Sequence, residues 1–363
     1  MNDLSSLRVL IVHDWISAWG GAERTVEQML QVFPRAHLVV GVLDERRRNL
    51  NEVTRRAEET WLARLPRART HHRWFLPLYP AAFATVRTQG YDLVISSSSS
   101  FSKCVRPGKG TPHLCYCYTP PRYLWDLQGA YGNDGSVGAA LALAGPALRA
   151  IDRASARRVT KFVGISHYIA DRIRRTYGRE ASVVYPPVSA KPATVAHVPR
   201  NDALLSLSRL VPYKRVDLAV LAANAIGARL IVAGDGPERR RLEGLAGPTV
   251  TFLGEVSEVE AGNLMESSRA MIFCAEEDFG IAPVEANAHG LPVVAFQRGA
   301  ARESLVDGAT AVFFGEPTAA SVIEAIRRAG QIDWDDAAVR RNAQRFSPKR
   351  FRQDLAKEVT AIL

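Results

Sequence analysis

Residues Cys274–Val294 read CAEEDFGIAPVEANAHGLPVV, and their pattern sets the fold. The preceding AMIFCA is a short apolar run of strand type. Gly290 ends a helix, and a second strand begins at Pro292. Pro283 suits a first helical turn, where its missing N–H costs nothing. The stretch therefore predicts strand, loop, helix over about Ala282 to His289, then strand. Glu277, Asp278, Phe279 and Gly280 fall in the loop, and Glu285 projects from the first helical turns. Amides near Gly280 and Ile281 face outward at the helix start and suit an anion. Carboxylates beside them accept from hydroxyl groups, so a ligand with both phosphate and sugar hydroxyls satisfies the set. Helix capping explains one acid of this cluster, not the cluster together with Glu285.

The same alternation runs along the whole chain. LRVLIV, HLVVGVL, YDLVISS, HLCYCY, KFVGIS and SVVYPP form one set of apolar runs; ALLSLS, ARLIVAG, VTFLG, AMIFCA, PVVAF and AVFF form a second. They are rich in Val, Ile and Leu without strict alternation, the mark of strands buried on both faces. Strands alternating with helices predict parallel sheets. The expected fold class is α/β, with two Rossmann-like, doubly wound parallel-sheet domains facing a central cleft. Tyr185–Asp202 carries four prolines and little helical pattern. We place the first domain at 1–187, a linker at 188–202 and the second domain at 203–346. A last helix at about 347–363 is expected to pack back on the first domain. Such sheets bind ligands beyond the carboxyl ends of their strands.

The 363 residues carry a formal charge of +10. Residues 1–187 hold 26 Lys/Arg against 15 Asp/Glu, and residues 188–363 hold 21 against 22, so the basicity belongs to the first half. Such asymmetry points to an anionic partner. The four cysteines show no zinc-site spacing and read as buried thiols. No apolar run reaches the roughly 20 residues that span a bilayer, and the start lacks a signal-peptide layout. A cytosolic protein is expected.

Several other loops carry candidate chemistry. Gly20 and Gly21 precede a helix from about Ala22 and allow close backbone approach to a ligand, but GxGxxG is absent. LCYCYTPPRYLWD delivers Tyr118, Arg122, Tyr123 and Trp125 to a strand end. In LSLSRLVPYKRVDLAV, Arg209 and Lys214 form a potential clamp for a diphosphate. VAGDGPE turns tightly at Gly234. Asp333–Asp336 reads as a helix cap with first-turn acids, in preference to a metal site. In RLPRARTHHRWFLPLYPAAF, the cations Arg67, Arg69 and Arg73 lie among Trp74 and Phe75, a mixture suited to an anionic membrane surface. Nucleic acid and a merely structural basic helix are the other readings of that stretch.

Taken together, these parts resemble the retaining glycosyltransferases of family 4, which have the GT-B fold. The resemblance covers nearly the whole chain. It rests on Glu277 and Glu285 in EDFGIAPVE, with GGAER, SRLVPYKRVDL, VAGDGPE and GLPVVA in support. EEDFGIAPVEA, HDW…GGAER and YTPPRYLWD are most similar to the bacterial mannosyltransferases that assemble lipid-linked polysaccharide repeats from GDP-mannose. The resemblance implies that Glu277 holds donor-sugar hydroxyls and that Glu285 binds the ribose. It implies that Phe279, Gly280 and Ile281 line the sugar and diphosphate through backbone groups. Arg209 and Lys214 would neutralise the departing diphosphate, Gly20 and Gly21 would approach the donor, and Gly234 would border it. Tyr118, Arg122 and Lys103 become acceptor-side candidates. Many relatives have His where this chain has Tyr118; His13 and His113 are candidates to compensate, against a reading of both as packed histidines.

The expected function is therefore transfer of mannose from GDP-mannose to a lipid-diphosphate-linked saccharide at the inner face of the plasma membrane, with no metal, no cofactor and no nucleic-acid partner. Four other readings stay open: use of another nucleotide sugar such as a UDP-sugar, a sugar-nucleotide epimerase, a non-catalytic nucleotide-sugar binder, and a glycoside hydrolase. The hydrolase would have no need of the Arg209 and Lys214 clamp.

Overall fold

A computed structural model of the chain describes residues 4–125, 135–189 and 200–363, with only the backbone of 135–143. The middle of the expected linker, 190–199, and Asp126 of YTPPRYLWD lie outside the described residues. The chain forms two compact units, Met1–Pro187 with Pro348–Leu363, and Val188–Ser347.

The first unit is built on β1 (Val9–His13), β2 (His37–Val40), β3 (Ala57–Glu59), β4 (Leu93–Ser98), β5 (His113–Cys117), β6 (Lys161–Gly164) and β7 (Ala181–Val183). Their order is β3-β2-β1-β4-β5-β6-β7, and every pairing is parallel. The second unit has β8 (Leu204–Leu207), β9 (Leu230–Ala233), β10 (Val250–Gly254), β11 (Ala270–Phe273), β12 (Val293–Phe296) and β13 (Ala311–Phe314), in the order β10-β9-β8-β11-β12-β13, again all parallel.

Alternate residues of the second sheet enter different cores, which is why its strands read as unbroken apolar runs. Leu204, Val232, Ile272 and Val294 join one cluster, with Val220 and Ala223 of the helix Val216–Ile226 and Val322 and Ile326 of the helix Ala319–Ala329. Leu205, Met271, Phe273 and Val293 join the other, with Met265 and Ala286. Each such side chain contributes roughly 1.5–3 kcal/mol by leaving water. A charge placed on either face of β8 or β11 would therefore meet a core.

The last helix, Pro348–Thr360, belongs to the first unit. Phe351 meets Tyr116 edge-on with ring centroids 5.6 Å apart, and Glu358 takes Lys161 at 2.6 Å and the Ser182 hydroxyl at 2.7 Å.

The expected linker differs at its described ends, which are tied to the second unit. The Val188 amide donates to Phe346 O at 2.8 Å, the Asn201 amide donates to Ser267 O at 2.7 Å, and Arg200 donates to Gly290 O at 2.6 Å. Strand β3 differs too: Ala57–Glu59 is short, polar and at the sheet edge, so it carries no apolar run to read.

Candidate functional site

In both sheets the strand order turns back at one place, between β1 and β4 in the first and between β8 and β11 in the second. Crossovers leave on opposite faces there, which opens a crevice at the strand carboxyl ends. Each unit carries a polar constellation at that point.

In the second unit, β8 ends beside Ser208 and Arg209, and β11 runs into the loop bearing Glu277. Lys214 Nζ lies 2.6 Å from Glu277 Oε1, with both side chains largely buried. The same ammonium stands 5.9 Å from the centroid of the Phe273 ring and 5.6 Å from that of Tyr213. Phe273 also lies under Gly280, where a Cβ would come within 3.4 Å of the ring. Gly280 has φ +81° and is the residue before the helix Ile281–Ala288. That left-handed turn suits glycine and aims the first helical amides out of the strand end. Phe279 is buried and packs edge-on against Phe346 at 5.3 Å, so its ring anchors the loop and only its backbone is offered to a ligand. Glu285 is half-buried in the first turns of the helix.

Arg209 is exposed at the end of β8, with no salt-bridge partner among the described residues. Gly234 ends β9; its amide donates to Gly254 O at 2.7 Å, and it turns the chain against Ser208. A small cleft lies here, lined by Ser206, Ser208, Lys214, Phe273, Cys274 and Ala275. A larger cavity of about 520 Å3, with Arg200, Arg269, Asp333 and Trp334 in its wall, sits at the amino ends of β8 and β11. We assign the site to the smaller cleft, because it lies at the strand carboxyl ends, where open sheets of this kind bind ligands, with Lys214, Glu277 and the helix start at Gly280 beside it.

Gly299, which the sequence reading passed over, fixes the backbone of Glu277. The loop after β12 pairs with Glu277 as an isolated parallel bridge, and the Ala300 amide donates to Glu277 O at 2.9 Å. A Cβ at Gly299 would fall 2.3 Å from Glu277 O. The available signal was a glycine just beyond a strand carboxyl end.

In the first unit, Asp14 follows β1 and is buried. Its carboxylate accepts the amides of Ser99, Ser100, Phe101 and Ser102 at 2.6, 2.8, 2.9 and 2.7 Å, and the Ser99 hydroxyl at 3.1 Å. The serine run therefore wraps its amides around one carboxylate. Sequence reading missed Asp14, although a loop so rich in donors needs an acceptor. Beside it, His13 Nδ1 is 3.0 Å from Ser97 Oγ, which is 2.8 Å from the Tyr118 hydroxyl; that hydroxyl donates to Ala22 O at 3.1 Å. Burial pushes the Tyr118 phenol well above its ordinary value, so it keeps its proton. Gly20 and Gly21 open the helix Gly21–Val32, and the Gly20 amide donates to Glu23 Oε2 at 2.9 Å.

Lys103 is a correction. Its ammonium is buried against Asp152 at 2.5 Å and donates to Ser100 O at 2.7 Å. Asp152 also takes Trp125 Nε1 at 2.9 Å and the Tyr177 hydroxyl at 2.8 Å. Burial opposes the charge on Lys103, but Asp152 outweighs it and the pKa rises. Lys103 is a core ion pair and reaches no acceptor. Arg122 begins the short helix Arg122–Trp125 and is half-buried.

Two of the docking candidates are corrected as well. Arg69 is held by Glu59 at 2.7 Å and Glu45 at 2.9 Å, and Phe75 packs against the core of the first unit. Arg67, Arg73 and Trp74 are exposed, Trp74 by 49%. His113 is fully buried on β5, with Nε2 2.8 Å from Ser96 Oγ. Burial, with Arg158 and Lys103 nearby, lowers its pKa to about 3. The Asp333–Asp336 run caps a helix: Asp335 accepts the Ala338 amide at 3.0 Å, which holds its pKa low, and Asp336 meets Arg200 at 3.0 Å. Among the described residues, no helix is long and apolar enough to cross a membrane.

The family model described as Glycosyltransferase Family 4 matches residues 19–191, and the one described as Glycosyl transferases group 1 matches residues 191–346. A GDP-mannose-dependent alpha-(1-6)-phosphatidylinositol dimannoside mannosyltransferase of Mycobacterium tuberculosis (strain ATCC 25177 / H37Ra) is 33% identical over 129 residues, covering 33% of this chain and 34% of that protein. The human alpha-1,3/1,6-mannosyltransferase ALG2 is 30% identical over 190 residues, covering 44% of this chain and 45% of that protein. The chain thus spans less than half the length of these curated relatives. Among solved structures, Anabaena Alr3699/HepE in complex with UDP and glucose superposes with a TM-score of 0.73 at 18% identity, over 98% of this chain and 99% of that one. Sucrose-phosphate synthase (tll1590) from Thermosynechococcus elongatus gives 0.71 at 17% identity over 98% and 99%. These likenesses show the fold.

Proposed function

The chain belongs to the family-4 glycosyltransferases of GT-B fold, and on that premise we propose that it transfers mannose from GDP-mannose to a lipid-diphosphate-linked saccharide with retention of configuration. The observation that carries the reading is the Lys214–Glu277 pair, 2.6 Å apart at the turning point of the second sheet, beside the helix start at Gly280. The curated relatives that favour mannose are named as mannosyltransferases, four of the five GDP-mannose-dependent.

The bond that breaks joins the anomeric carbon to a diphosphate oxygen. Negative charge grows on the diphosphate and positive charge on the sugar ring. Arg209, Lys214 and the amides after Gly280 oppose the first charge, already oriented before the reaction begins. These groups fill the charge-neutralising role without a resident metal. Glu277 holds the sugar hydroxyls and Glu285 the ribose. The acceptor oxygen bonds to the anomeric carbon on the face the diphosphate leaves, and its proton passes to the departing phosphate oxygen. No protein nucleophile is assigned.

For the acceptor side, we assign Arg67, Arg73 and Trp74 to an anionic membrane surface at the inner face of the plasma membrane, where each nearby cation contributes about 1 kcal/mol. Arg122 stands at a strand end of the first sheet as an acceptor-side group; the Tyr118 hydroxyl is taken up by Ser97 Oγ and Ala22 O.

A thermal-shift panel of GDP-, UDP- and ADP-sugars, followed by transfer assays with and without EDTA, tests the reading. Stabilisation by GDP-mannose and EDTA-resistant transfer are expected. Selective stabilisation by a UDP-sugar overturns the donor assignment. Conversion of the sugar nucleotide without any acceptor would identify an epimerase, and binding without turnover a non-catalytic binder.

A further inference from the structure

The four side chains Glu23, His13, Ser97 and Tyr118 form a line beneath the turn Gly20–Ala22, and both ends of the line return to that turn. At one end Glu23 Oε2 accepts the Gly20 amide at 2.9 Å. At the other the Tyr118 hydroxyl donates to Ala22 O at 3.1 Å. Between them Thr25 Oγ1 donates to Gly21 O at 2.7 Å. Three consecutive residues of the turn are thus each held by a side chain that is buried or half-buried.

The direction of the line follows from proton counting once the Tyr118 proton is placed on Ala22 O, which can only accept. A carbonyl oxygen only accepts, and a tyrosine hydroxyl has one proton. With that proton on Ala22 O, Tyr118 accepts from Ser97 Oγ at 2.8 Å. Ser97 has then used its own proton and accepts from His13 Nδ1 at 3.0 Å. His13 therefore carries a proton on Nδ1, and its Nε2 faces Glu23 Oε1 at 3.8 Å. Ser97 is fully buried and His13 almost so, so water does not scramble the order. A histidine in place of Tyr118 would offer a ring nitrogen, not a hydroxyl that accepts from Ser97 while donating to Ala22.

We propose that His13, Ser97 and Tyr118 form a one-way hydrogen-bonded relay that, with Glu23, is the positioning device for the Gly20–Ala22 turn. The task given to the turn, approach to the sugar donor, rests on the glycosyltransferase reading; the relay itself does not. None of the four is a catalytic residue. They act through the turn, whose glycines supply no side-chain contacts of their own to fix it.

The test uses the full chain and the variants Tyr118→Phe, Ser97→Ala and their combination. Nitrogen-15 spectra of the parent should show His13 protonated at Nδ1. Hydrogen exchange at Gly20–Arg24 should quicken about fivefold or more in each single variant, with no further gain in the double, while β1 and β4 stay protected. In transfer assays kcat should fall about tenfold at unchanged affinity for free GDP. A neutral His13 protonated only at Nε2, or unaltered exchange in both singles, overturns the relay. Faster exchange with unchanged kcat overturns its positioning role. A parent inactive with every nucleotide sugar overturns the glycosyltransferase reading, and the spectra and exchange rates still decide the relay. Should Tyr118→Phe fail to fold, Ser97→Ala alone carries the same predictions.

Discussion

Lys214 and Glu277 hold each other at 2.6 Å in the second unit. The cation assigned to the diphosphate and the carboxylate assigned to the sugar therefore neutralise one another. An ammonium has three protons and a carboxylate two oxygens, so each keeps bonding capacity for a ligand that carries both phosphate and hydroxyls. Glu277→Gln should lower kcat about 100-fold or more while free GDP binds at least as tightly as before, because Lys214 is released to it. Lys214→Ala and Arg209→Ala should nearly abolish transfer with little change in melting temperature. Titration calorimetry with GDP, beside initial rates, checks all three; near-normal turnover in either cation variant sinks the clamp.

Lys103 and Asp152 give the opposite expectation. Removing one partner leaves the other charged and buried, so Lys103→Met or Asp152→Asn should destabilise the chain by about 3–5 kcal/mol. Denaturant unfolding reads the loss. A Lys103 variant that keeps its stability but loses affinity for acceptor would restore its role in binding.

His113 gives the first unit a pH dependence. Its folded value of about 3 lies below the ordinary value of 6.5, so the unfolded chain binds the extra proton first as pH falls. Stability is full above about pH 6.5 and declines toward pH 3. Between pH 7 and pH 5 the loss from this one group is about 1–2 kcal/mol. Thermal melts of His113→Asn should show a shallower decline over that range than the parent; parallel curves would refute the assignment.

The proposed membrane docking rests on Arg67, Arg73 and Trp74, all exposed. Replacing Arg67 and Arg73 with glutamate and Trp74 with alanine should remove most flotation with anionic liposomes at low salt and leave turnover on a water-soluble acceptor unchanged. Arg69→Ala, by contrast, should lower stability through Glu59 and Glu45 more than it lowers flotation. Liposome binding undiminished by the triple change would move the docking surface elsewhere.

Much of this was legible in the residues. The inner strands of the second unit were readable because both faces of that sheet meet a core, which forces apolar runs; the edge strand β10 was readable although Thr251 and Leu253 face outward. The stretch around Glu277 was readable because Pro283, Gly280 and Gly290 each have a local physical reason to be there; Glu276 and Asp278 were assigned no role. Long-range pairing was not. Nothing near Lys103 announces Asp152, and nothing near Arg69 announces that the edge strand β3 delivers Glu59 to it. Tyr118 was noticed as a departure, yet its partner Ser97 lies on β4, and Ser97's own partner His13 lies on β1. Asp335 was read correctly as a cap because its partner amide is only three residues away.

The placement of the helix Pro348–Thr360 in the first unit bears on the order in which the molecule is made. The first sheet leaves the ribosome early, but Tyr116, Lys161 and Ser182 gain their partners Phe351 and Glu358 only after the whole second unit has been synthesised. The second unit is continuous in sequence and can close as soon as it emerges. The first must wait for the partners of Tyr116, Lys161 and Ser182, so the half translated first is the half completed last.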